Sequence, residues 1–162
     1  MNYNTLNNGN QNFPPLPMKW HKFTAYFGLW LGALFSAGSG LLLVSGLQYG
    51  SESQRDMVYQ RFTDLQSLDM GIGIVYIGIG LFAIYTAMQL VKLKQGAPQK
   101  LMINYLLSAA MPIIYALLGS SVLNVPFSEV ITDQYISMIS GSVLGIIITR
   151  IYYGKREHLF VN

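Results

Sequence analysis

Apolar and polar residues fall in long blocks along this chain, and the longest apolar block runs from Phe23 to Leu47. No charge lies between Lys22 and Glu52. A helix of about 20 predominantly apolar residues can cross a bilayer, so this block predicts a first membrane span over 23–47. On a wheel at about 100° per residue, Ala25, Gly28, Gly32, Ala33, Ser36, Ala37, Ser39 and Gly40 share one half. Phe27, Trp30, Leu31, Leu34, Phe35, Leu41 and Leu42 share the other, while Leu29, Gly38 and Leu43 break the division. A small face permits close approach to a neighbouring helix, and a bulky face suits lipid. Gly28, Gly32, Ser36 and Gly40 are therefore expected helix-packing positions.

Three more apolar blocks follow, over 70–91, 101–123 and 130–153. In the second, Gly73, Gly80 and Ala87 recur every seven residues, the spacing of a close packing seam. Its four glycines lack the strand and lysine of a phosphate loop. The third block carries Pro112, which leaves the Ser108 carbonyl without its helical partner and predicts a kink. In the fourth, Ser137, Gly141 and Gly145 are spaced by four and are expected to pack. Between the first two blocks, Ser51 with Gln54 three residues on matches a capping box. Val58, Phe62, Leu65 and Leu68 then recur at helical spacing among charges. This predicts an amphipathic helix of three or four turns, lying on the bilayer surface or capping the bundle. Residues 1–18 are uncharged and rich in Asn and Pro, a composition that predicts a disordered tail.

Charge orients these blocks. Lys19 and Lys22 precede the first span, Lys92, Lys94 and Lys100 surround the second turn, and Arg150, Lys155 and Arg156 close the fourth. With Trp20 they form the expected membrane anchors. The other two connections are acidic. Lysine and arginine favour the cytoplasmic side, so both termini are expected in the cytoplasm and the amphipathic helix outside. The net charge of +3 sits at span ends and does not indicate nucleic acid. With 10% charged residues and 52% hydrophobic ones, the whole is expected to be an all-α integral membrane four-helix bundle, residues 19–162.

Candidate chemistry is sparse. There are no cysteines and two histidines, His21 and His158. Both flank spans and are expected to be solvated, so neither a metal nor a cofactor site is predicted. Asp56, Asp64 and Asp69 read as a solvated helix face. The cores of the spans, in the fourth Gln134 to Thr149, hold no carboxylate, which speaks against an enzyme or a proton-coupled transporter. The expected role is a non-catalytic scaffold or accessory subunit acting through helix association, its partners being the bilayer and a membrane protein or a second copy. The alternative is a small channel or transporter for an uncharged or lipid-like solute, using Tyr76, Ser108 and Tyr115 as a polar path.

The segments Pro14-Pro15-Leu16-Pro17-Met18-Lys19-Trp20 and Lys155-Arg156-Glu157-His158-Leu159-Phe160-Val161-Asn162, with the early first span, resemble a family of multi-pass membrane proteins of gut Firmicutes. Many members of that family carry a zinc ribbon before the first span. This chain departs from them in having an Asn-rich stretch and no cysteine there. The resemblance implies a bacterial source and the multi-pass fold, and carries no activity.

Overall fold

The computed structural model describes residues 18–160; the predicted tail, apart from Met18, lies outside them. The described residues are helical apart from short turns, without strands. Four helices are long and apolar enough to cross a membrane: α1 Lys19–Ser45, α3 Thr63–Val91, α4 Ala97–Leu123 and α6 Asp133–Gly154. Two shorter helices, α2 Glu52–Arg61 and α5 Phe127–Val130, lie in the connections. The long helices pack in chain order, α1 on α3, α3 on α4 and α4 on α6. Their turns bring eight of the ten Lys and Arg residues to one end of the molecule and six of the seven acids to the other. These are called the basic and acidic ends below.

The boundaries follow from local chemistry. α1 stops at Gly46, whose φ of 69° is the left-handed conformation that glycine adopts without strain. A 3-10 turn, Leu47–Tyr49, leads to Gly50 at φ 91°. α2 then opens on the predicted capping box: the Ser51 side chain accepts from the Gln54 N–H, and the Ser51 N–H donates to Gln54 Oε1 at 3.0 Å. The expected amphipathic helix is interrupted. Phe62 leaves helical geometry at φ −130° and ψ 79°, so Leu65 and Leu68 belong to α3, which begins seven residues before the predicted second span. α2 itself buries no residue.

The closest packing is between α1 and α3. A Cβ placed on Gly40 would lie 2.5 Å from the Gly73 carbonyl oxygen, and one on Gly73 would lie 2.7 Å from that of Gly40. Gly80 meets the backbone of Ala33 and Ala37, and Ala87 is sealed in the core. Leu29 and Leu43, which broke the wheel's division, are both buried, whereas every member of its bulky half is exposed. Ser36 donates its hydroxyl to the Tyr76 carbonyl at 2.8 Å. On the α4–α6 side, Gly145 lies under the Tyr105 ring. Ser137 is exposed, Gly141 and Gly32 have open space around them, and Gly28 touches only Phe23 of its own helix. Pro112 is fully buried within a continuous α4.

Candidate functional site

Three places gather polar side chains. The first is at the acidic end, around Asp69. This residue follows Leu65 by four and precedes Ile72 and Tyr76 by three and seven, so a helix of 3.6 residues per turn puts all four on one face. That face looks into the molecule, and Asp69 is 0% exposed. Its Oδ2 accepts from the Tyr49 hydroxyl at 2.8 Å, Gln48 Nε2 at 3.0 Å and the Tyr59 hydroxyl at 3.1 Å. Its Oδ1 accepts from the Tyr115 hydroxyl at 2.8 Å. Asp69 is thus a correction to the solvated face expected of it; Asp56 and Asp64 are exposed.

A buried carboxylate needs donors on both oxygens, and here the donors come from the turn after α1, from α2 and from α4. The cluster therefore ties the loop to two long helices. Gly46 completes it, because a Cβ there would stand 2.6 Å from the Arg55 side chain and 3.0 Å from the Tyr59 hydroxyl. Burial, and then the neighbouring carboxylate, pushes Tyr59 up to about 12 and raises Tyr49 as well. Both hydroxyls stay protonated and keep donating at neutral pH.

The second place is at the basic end. His21 is 5% exposed, a correction to the solvated histidine expected. Its Nδ1 lies 3.1 Å from the Tyr153 hydroxyl, its backbone N–H donates to the Tyr152 hydroxyl at 3.3 Å, and its ring meets Tyr153 and Phe160 edge-on. After α6 the chain folds back through a 3-10 turn, Glu157–Leu159, and Phe160 enters the core. Arg156 turns its guanidinium over the Tyr152 ring at 3.8 Å and donates to the Tyr152 carbonyl at 2.9 Å. It is buried, whereas Lys19, Lys22, Lys92, Lys94, Arg150 and Lys155 are exposed around this end with Trp20. Lys100 lies over the Tyr85 ring at 4.9 Å. Among the described residues no group of three or more potential ligands is placed to hold a metal ion.

The third place is a cavity of about 190 Å³ in the side of the molecule, lined from all four long helices. α1 and α6 are joined at His21, and Ile79 and Ala83 of α3 also line the cavity. Gly28, Gly32 and Ser36 line it on the α1 side.

Compared with known proteins, the chain matches no family model, no curated protein and no solved structure.

Of the expected packing positions, Gly40, Gly73, Gly80 and Gly145 lie against a neighbouring helix and Ala87 is buried. Sequence reasoning missed Asp69, although the face shared with Leu65, Ile72 and Tyr76 was a readable signal. It also missed Asn104, Thr24 and Ser142, all at least nine-tenths buried in the cavity wall. Asn104 was legible as an amide two turns into an apolar helix; Thr24 and Ser142 resemble any other small polar residue in a span.

Proposed function

We propose that this chain is a non-catalytic multi-pass protein of a bacterial cell membrane, a scaffold or accessory subunit that works by helix association. The observation that carries this reading is its exterior. Leu34 and Phe35 of α1 are 70% and 67% exposed, and Leu81, Leu106 and Leu144 on the other long helices are 64%, 58% and 58% exposed. Apolar surface on that scale is stable against lipid or another apolar helix, and in water it would drive association. The segregation of charge supports an orientation with the basic end and both termini cytoplasmic and α2 outside.

Transport of an uncharged solute has less support. Tyr115 is occupied by Asp69, and Ser108 donates to the Asn104 carbonyl of its own helix at 2.9 Å. Two of the three side chains expected to line a polar path are therefore engaged in internal bonds. Catalysis has less still, since the buried carboxylate already receives four protein donors.

Gentle extraction from the native membrane followed by mass spectrometry of the intact assembly tests the proposal. A second protein at fixed stoichiometry is the expected result. A bare monomer overturns the accessory role.

A further inference from the structure

We infer that the side cavity between α1, α4 and α6 is a binding site for a neutral lipid bearing a hydroxyl head, entering sideways from the bilayer. The inference rests on the membrane placement proposed above and is independent of the accessory role.

The cavity wall contains polar groups that the protein leaves open. Thr24, Asn104 and Ser142 are 3%, 6% and 8% exposed, and all three line it. The Thr24 and Ser142 hydroxyls make no hydrogen bond within the described residues. Asn104 donates one long bond, 3.4 Å, from Nδ2 to the Ile79 carbonyl, and its Oδ1 has no partner there. These polar atoms belong to largely buried residues but open onto the cavity itself; away from water such groups need partners, so three of them around one cavity point to an occupant that bonds them. That occupant is uncharged, because the lining contains no Asp, Glu, Lys, Arg or His. It both donates and accepts, as a hydroxyl does, because an amide oxygen needs a donor and hydroxyls serve either way.

The backbone is also irregular at this place and from two helices. α1 departs from α-helical bonding over Thr24–Gly28, where a π-helical turn closes with the Leu29 N–H on the Thr24 carbonyl. Single π turns inside α-helices mark functional sites often. On α4, Pro112 deprives the Ser108 carbonyl of its usual donor, and Ser108 lines the same cavity.

Position and size select a lipid. Asn104 is seven residues into α4, about 10 Å at 1.5 Å per residue, and so lies below the basic rim where Trp20 and Phe23 flank the cavity. Gly32 has nothing within 4 Å of its would-be Cβ, which leaves an open side toward the exterior through which a chain can run. A hydroxyl seated against Asn104 with its hydrocarbon tail leaving past Gly28 and Gly32 satisfies both the polar wall and the apolar surroundings.

The test uses the full chain reconstituted in phosphatidylcholine vesicles with a long-chain fatty alcohol carrying a photoactivatable diazirine near the hydroxyl. We expect saturable labelling confined to 24–32 and 104–108, displaced at least tenfold better by unlabelled alcohol than by an alkane of equal length. Gly32→Leu fills the open side and is expected to abolish labelling. Thr24→Val, which keeps the side-chain volume, and Asn104→Leu are each expected to weaken it several-fold, so the outcome does not depend on one variant folding. Gly141→Leu, on open surface outside the cavity, is expected to label as the parent does. Equal displacement by the alkane, labelling spread over the outward faces, or insensitivity to both Gly32→Leu and Thr24→Val overturns the site. So does filling of the cavity by a second copy, seen as a cross-linked dimer through 24–32. Alkaline carbonate extraction of the native membrane separates the two levels. Release of the protein overturns the membrane placement together with the site, whereas retention with unselective labelling overturns the site alone.

Discussion

Gly40→Ala tests the packing logic of the whole molecule at its tightest point. The added methyl would stand 2.5 Å from the Gly73 carbonyl oxygen, 2.8 Å from Ile77 Cγ1 and 3.0 Å from the Ile77 nitrogen. Ordinary contact begins near 3.4 Å, so α1 and α3 must separate locally by about 0.9 Å. Ile77 Cγ1 has some freedom to turn away, but the other two atoms are helix backbone and move only with α3. Overpacking of this kind costs roughly 1–3 kcal/mol, and about 2 kcal/mol changes a folding equilibrium by roughly a factor of 30. Gly78→Ala and Gly141→Ala are the controls, since neither glycine has an atom within 4 Å of its would-be Cβ; each is expected to stabilise by about 0.5–1 kcal/mol, the helical preference for Ala over Gly. Reversible unfolding in mixed micelles, followed by tryptophan fluorescence, measures the difference. Both tryptophans, Trp20 and Trp30, lie on α1, so the signal reports on the helix being displaced. Equal stabilities for Gly40→Ala and Gly78→Ala would refute the idea that backbone contact at Gly40 and Gly73 sets the α1–α3 distance.

Asp69→Ala removes the acceptor for four donors and leaves buried hydroxyls unpaired; a loss of about 3 kcal/mol is expected, with faster hydrogen exchange in 47–61, and unchanged exchange there would show that the carboxylate does not hold the loop. Tyr59 ionises from an ordinary value of 10.0 to about 12. Its folded value is raised, so the stability it lends is complete below about pH 10 and is lost as the pH rises through 12. Tyrosinate absorbance should show the residue titrating late in the native protein and near its ordinary value in Tyr59→Phe-subtracted spectra of the unfolded one; a native titration near pH 10 would contradict the burial described. Because the chain has no cysteine, single substitutions can fix its orientation: Ser53→Cys on α2 is expected to react with an impermeant maleimide on intact cells and Gln95→Cys only after lysis, and the reverse pattern would invert the proposed topology.

The sequence by itself determined the number of the long helices and where their apolar stretches run, because uninterrupted apolar length is a property of the chain alone. It also determined the bulky outward half of α1, the capping box at Ser51 and the gathering of basic residues at one end, each of which depends on near neighbours or on spacing. Tertiary structure decided which small residues touch anything. Gly40 and Gly32 are equally small and lie on the same half of the wheel, yet one meets the Gly73 backbone and the other lines a cavity. It also decided the state of Asp69. A carboxylate beside a polar loop reads as solvated until Tyr49, Tyr59 and Tyr115, from three separate elements, converge on it. The helical face shared with Leu65, Ile72 and Tyr76 marks residue 69 as inward, but no local pattern around it encodes where those hydroxyls will be.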